Sequence, residues 1–227
     1  MKIRMKYILG IGIPLGIILA ILKNVIKIED NIFWKYYILL AIVVIAGVVI
    51  LSCLYQIRFV RKLKVINKQV MEQGNLDLFF EDIEKLLNKS KSKFHRSLLM
   101  LNLCYGLGKK KEYAKGLEVL ASIDLKNVKG INKIIYYLDK GCFHFYLGNY
   151  EEVISITEKN KEDFLRFEEN NHIDWNIAAN NIYYRIAKGE HEEAEKLLEQ
   201  AKSQWKDRDM QEEWEMIGEI LWQIMKE

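Results

Sequence analysis

From Tyr36 to Tyr55 the chain carries no charged residue: Tyr36-Tyr-Ile-Leu-Leu-Ala-Ile-Val-Val-Ile-Ala-Gly-Val-Val-Ile-Leu-Ser-Cys-Leu-Tyr55. About 20 apolar residues is the length at which a helix crosses the hydrocarbon core of a bilayer. Lipid offers no hydrogen bonds to a bare backbone, so such a run is expected to be helical and to satisfy its own N–H and C=O groups. Phe33, Trp34, Tyr36 and Tyr37 stand at one end and Tyr55 at the other, at the depths where amphipathic rings settle in a membrane interface.

A second apolar run, Tyr7 to Leu22, is shorter, at about 16 residues, and borders on too short to span. Lys6 and Lys23 flank it and can snorkel to either interface. Gly10, Gly12, Pro14 and Gly16 would weaken a soluble helix but are tolerated in lipid. Gly12 and Gly16 form a G-x-x-x-G pair, a packing face for a neighbouring helix. The basic start resembles the n-region of a signal peptide, yet the exit, Leu19-Ala-Ile-Leu-Lys23, has no small-x-small cleavage site, so an uncleaved span is expected. Lys2, Arg4 and Lys6 precede this span, and Arg58, Arg61, Lys62, Lys64 and Lys68 follow the next. The positive-inside bias then places both chain ends in the cytoplasm, with residues 23–35 outside. The expectation for residues 1–57 is a two-span transmembrane hairpin in the cell (plasma) membrane.

Charge separates the rest. Residues 1–57 hold six Lys/Arg and two Asp/Glu, residues 58–115 fourteen and six, and residues 116–227 fourteen and twenty-three. The region beside the membrane is basic and the distal region acidic. The acidic end would be repelled by phosphate, which argues against nucleic-acid binding; it would steer a basic partner instead. Cys53, Cys104 and Cys142 have no metal-ligand or redox spacing and read as small apolar residues in a reducing compartment. The abundance of Ile, Lys and Asn suggests an AT-rich bacterial genome.

After Arg58 there is no proline and no sustained strand-type alternation. Leu98–Leu107, Ile131–Tyr146 and Ile177–Ile186 repeat apolar residues at steps of three and four, the period of amphipathic helices. Breaks fall at Gly74-Asn75, Gly106-Leu-Gly108, Asn127-Val-Lys-Gly130, Gly148-Asn149, Glu169-Asn-Asn171 and Lys188-Gly189. The openings of alternate helices recur: Leu76, Tyr113, Tyr150 and His191 are offset by 37, 37 and 41 residues. Fixed-period helix–turn–helix units of this size mark a helical solenoid.

On these residues the region 58–227 resembles the tetratricopeptide-repeat family. Gly148/Tyr150 and Gly189/His191/Ala194 match its turn glycine, aromatic and small residue; Tyr113/Gly116 matches after a longer turn, Lys109-Lys-Lys111, that displaces Gly108. Gly141 sits where the family has a small residue in a first helix. The family's proline at the end of the second helix is missing, Val153 stands for alanine, and bulky Phe79 stands where a small residue belongs. The resemblance implies an all-α solenoid whose units bury their apolar faces by stacking. The last helix, with Trp214, Ile217, Ile220, Leu221 and Ile224 in one stripe and Glu212, Glu213, Glu215 and Glu219 expected elsewhere, would close it as a cap.

No catalytic constellation is present. His95, His144, His172 and His191 are scattered, His191-Glu-Glu-Ala-Glu195 lacks the second histidine of a zinc motif, and there is no phosphate loop or nucleophile elbow. The expectation is no enzyme, no metal and no cofactor. The resemblance implies a concave groove contributed by Asn102, Tyr105, Asp139, Phe145, Asn176, Asn180 and Tyr183, binding a protein or peptide. It lacks the basic residues with which some members clamp a carboxylate. Arg58, Arg61, Lys62 and Lys64 are expected to touch anionic lipid, worth about 1 kcal/mol each near the surface. The functional expectation is a membrane-anchored interaction scaffold; the alternative is an accessory subunit of a membrane complex assembled through the hairpin.

Overall fold

The computed structural model describes residues 5–27, 29–71 and 74–226. It is all-α, with no strand among the described residues. The helices are α1 (Met5–Ile26), α2 (Asp30–Met71), α3 (Leu76–Lys89), α4 (Lys93–Lys109), α5 (Tyr113–Ala121), α6 (Ile131–Tyr146), α7 (Tyr150–Phe167), α8 (Asp174–Ala187), α9 (His191–Gln204) and α10 (Arg208–Ile224), with one 3-10 turn at Leu125–Asn127. Lys2 and Arg4, part of the flank from which an orientation was expected, lie outside the described residues. The chain divides into two compact units between Val65 and Ile66. The sequence-based boundary fell at 57/58, where charge begins; α2 continues through that point without a break.

In the first unit, α2 is the helix that is long and apolar enough to cross a membrane by length and composition; α1 has a shorter apolar stretch. None of the apolar window of α2 is buried within the chain. Ile38, Leu39, Ile42, Val43, Ile50 and Leu51 are each more than half exposed. Leaving large aliphatic side chains in water costs roughly 1.5–3 kcal/mol apiece relative to burial, so this surface calls for an apolar surrounding. The connection between the helices is tied locally. Lys23 pairs with Asp30, and its ammonium lies 5.3 Å from the ring centroid of Phe33. Gly12, Gly16 and Ala20 of α1 face Tyr37 and Ala41 of α2 across an apolar cleft of 480 Å3.

In the second unit each helix from α3 to α10 packs on its sequence neighbour, and α4–α6 and α6–α8 also pack directly. This is the contact pattern of a helical repeat: α4, α6 and α8 form one layer, with α5, α7 and α9 behind it. Three turns have the same hydrogen bonds. Glu112 N–H donates to Leu107 O, Asn149 N–H to His144 O and Glu190 N–H to Arg185 O, each at 2.9 Å. The residue before each donor, Lys111, Gly148 or Gly189, has φ of 58°, 72° or 73°. Six-to-one bonds closing on a left-handed residue end a helix by satisfying its last carbonyls. Two of those positions hold glycine, which takes this conformation without a Cβ penalty. The longer lysine turn thus keeps the same geometry with Lys111 in the glycine position.

The core falls into successive clusters along the layers. Leu101, Cys104, Leu120, Val128 and Phe143 form one cluster; Ile134, Leu138, Phe164 and Ile177 a second. Phe145, Val153, Ile182, Ala194, Leu198, Trp214, Ile217 and Leu221 belong to a third, which draws α6 to α10 together. The expected stripe of α10 is there: Trp214 and Ile217 are fully buried, and Ile220 and Ile224 pack against the cluster.

Candidate functional site

The face of interest is built on α4, α6 and α8, and the structure divides the seven residues expected on it between two environments. Asn102, Tyr105, Asp139 and Asn176 are half-buried, whereas Phe145, Asn180 and Tyr183 are 2%, 1% and 2% exposed. The last three are core residues here and offer a partner almost no surface. The reason is helix approach: where α6 and α8 touch, groove positions of adjacent units fall into the contact between them. Phe145 stacks on Tyr183 with ring centroids 4.3 Å apart.

Asn102 has both polar ends engaged. Its Oδ1 accepts from Asn67 Nδ2 and its Nδ2 donates to Leu98 O, each at 2.8 Å. Asn180 donates through Nδ2 to Thr157 Oγ1 at 3.1 Å, while its buried Oδ1 has no hydrogen-bond partner. That oxygen sits beside Gly141, where a Cβ would come within 2.8 Å of it.

Asp139 lies on α6 with Oδ2 buried and without a hydrogen-bond partner. Desolvation pushes its carboxyl from 3.8 up to about 8. Near neutral pH it is therefore held largely as a neutral acid, the usual response of an unpaired buried carboxyl.

Sequence reasoning missed a polar cluster one turn further along α6. Glu213 was expected away from the apolar stripe of α10; instead it is half-buried and points inward. Its Oε1 accepts from Tyr146 Oη at 2.6 Å and from Tyr183 Oη. Tyr113 stacks on Tyr146 at 4.7 Å and 10°, and Cys142 lies 3.8 Å from Tyr183 Oη. Burial first, and then the charge of Glu213, pushes Tyr146 well above the ordinary phenol range. Tyr183 rises for burial first, then Cys142 and Glu213, and Cys142 for burial and then Glu213. Burial thus keeps Tyr146, Tyr183 and Cys142 protonated near neutral pH, and the two phenols donate to the Glu213 side chain, a tie between α10, α8 and α6. Spacing held the signal: Glu213 is one helical turn before Ile217 and so shares its face.

The basic residues expected at the lipid surface, Arg58, Arg61, Lys62 and Lys64, are all exposed on α2. At 100° per residue they fall within one arc of the helix, with Phe59 and Leu63 on another side. Among the described residues no group of three or more His, Cys, Asp or Glu is arranged to hold a metal ion. No family model matches the chain, and no curated protein or solved structure matches it significantly.

Proposed function

We propose that the chain is a membrane-anchored adaptor: α1 and α2 form a two-span hairpin with both ends cytoplasmic, and the second unit is a tetratricopeptide-like solenoid that captures a protein or peptide. The single observation that carries this reading is the pairing of a wholly unburied apolar segment in α2 with three identically closed helix turns in the second unit. An apolar surface of that length calls for an apolar surrounding, and lipid supplies one that a helix can cross with its backbone satisfied. Repeats closed in the same way stack into an extended surface whose inner helices are open to a partner. In this account α4, α6 and α8 line the inner side, and Arg58, Arg61, Lys62 and Lys64 rest among anionic headgroups.

Burial narrows the groove to Asn102, Tyr105, Asp139 and Asn176. Photo-crosslinking in intact cells with the full chain tests it. A crosslinker at Tyr105 or Asn176 should capture one defined protein, and one at Glu162, exposed on α7, should not. Equal capture from both faces, or none from the inner one, contradicts the adaptor reading.

The cleft of Gly12, Gly16 and Ala20 against Tyr37 and Ala41 supports a second reading, an accessory subunit. Small residues let a further transmembrane helix approach closely, and 480 Å3 of apolar space lies between the two helices. Replacing residues 1–57 by an unrelated two-span anchor separates the two: the adaptor keeps its partner and the subunit loses it.

A further inference from the structure

We infer that the second unit touches anionic lipid through one edge of its first two repeats, at the turns Ser90–Ser92 and Ser122–Gly130. This rests on the membrane reading above and adds a surface outside the anchor. Helices that run alternately up and down place every second turn on the same edge. The 3-10 turn Leu125–Asn127 packs on α4, whose first residues follow the other turn, so the two are neighbours.

Their chemistry is cationic with apolar tips; Asp124, the one acid in the two turns, accepts from Lys126 N–H and Asn127 Nδ2. Lys89, Lys91, Lys93, Lys126 and Lys129 are exposed, and among the described residues none of the five has an ion-pair partner. Phe94 and Leu125 are 39% and 36% exposed between them. Lys89 lies in the last turn of α3, where a helix C-terminus favours a cation. Lys93 opens α4, where the helix end favours acids instead, and Lys91, Lys126 and Lys129 stand outside the α-helices. Four of the five cations thus serve no helix end and are free for a contact outside the chain.

Reach and charge select the occupant. From Ile57, the end of the apolar stretch, to Ile66, the first residue of the unit, a chain of nine steps spans at most about 32 Å, so this unit cannot leave the neighbourhood of the bilayer. Lysines hold headgroup phosphates and carboxylates while Phe and Leu enter the acyl boundary, the division of labour of interfacial segments. The next turn on the same edge carries Glu168 and Glu169, which an anionic surface repels. Contact is therefore confined to the lysine-bearing end, with the distal repeats lifted away.

Lysine footprinting of the full chain in nanodiscs tests this. The discs are phosphatidylcholine alone, or phosphatidylcholine mixed with phosphatidylserine, and a water-soluble acylating reagent is read by mass spectrometry. Lys89, Lys91, Lys93, Lys126 and Lys129 should each react roughly fivefold more slowly in the anionic discs, the factor that about 1 kcal/mol per cation converts to. Lys159 and Lys161 on α7 should not change. Raised salt should restore reactivity, and Phe94→Ser should reduce the protection. Equal reactivity of the five lysines in the two discs, with the chain inserted, overturns the inference, as does protection gained only on adding RNA to neutral discs. A chain that inserts into neither disc overturns the membrane reading itself.

Discussion

The ring of Phe143 on α6 lies directly over Gly116 on α5: a Cβ at position 116 would meet Cε2, and would fall 2.7 Å from Cδ2 and 2.9 Å from Cζ. Phe143 is 3% exposed and part of the core cluster that joins α4, α5 and α6, so the ring has nowhere to go. Gly116→Ala should destabilise the unit by about 1–3 kcal/mol, the usual penalty for overpacking a core, despite the better helix propensity of alanine. Thermal unfolding of the full chain in detergent measures it. Combining it with Phe143→Leu should cost less than the sum of the two single changes, because the smaller side chain relieves the clash.

Lys111 occupies the left-handed position that Gly148 and Gly189 fill in the next two turns. A side chain there costs about 1 kcal/mol. Lys111→Gly should raise stability by about that amount, whereas Gly148→Lys should lower it. No gain from Lys111→Gly beside a clear loss from Gly148→Lys would show that the two turns are not equivalent.

Much of this is legible in the sequence. The glycines at 148 and 189, the aromatic two positions on and the three- and four-residue apolar steps fix helices and turns by local rules, and the structure closes those turns as expected. By spacing Lys111 belongs to a displaced, longer turn; it holds the same geometry because the hydrogen-bond pattern tolerates a non-glycine residue at modest cost. The groove was less legible. Family positions say which side of a helix faces inward, not how closely neighbouring helices approach, so Phe145, Asn180 and Tyr183 fell into the core. Glu213 was misplaced for the opposite reason: as one of several glutamates it looked like solvated surface, and only the tyrosines of α6 and α8 show why it turns inward.

Removing the Glu213 side chain leaves the Tyr146 hydroxyl without its acceptor and the Tyr183 hydroxyl with only the weak acceptor Cys142 Sγ. Glu213→Ala should cost about 2 kcal/mol, in the range for losing charge-assisted hydrogen bonds in a buried setting. Glu213→Gln should cost less, since its amide oxygen still accepts. Alkylation of Cys142, slow in the parent because burial and then the charge of Glu213 raise its thiol pKa, should speed up most in Glu213→Ala, which opens the site and removes the charge, and less in Glu213→Gln, which removes only the charge.

Asp139 makes stability depend on pH. Its carboxyl is raised from 3.8 to about 8 in the folded chain, so between those values the native state holds a proton that the unfolded state has released. Stability is then greatest below pH 4 as far as this group is concerned, falls as pH rises through the interval, and levels off above about 8. Asp139→Asn should flatten that slope in melting temperatures recorded from pH 5 to 9, with its largest stabilisation at the alkaline end. A parallel slope in the variant would assign the dependence to other groups.

The membrane association of the apolar helix is tested most directly by fractionating cells that express the full chain and washing the membranes with alkaline carbonate. The account predicts that the protein stays in the washed pellet and leaves it only with detergent. Release of the full-length protein into the carbonate wash, or its recovery in the soluble fraction, would contradict the account.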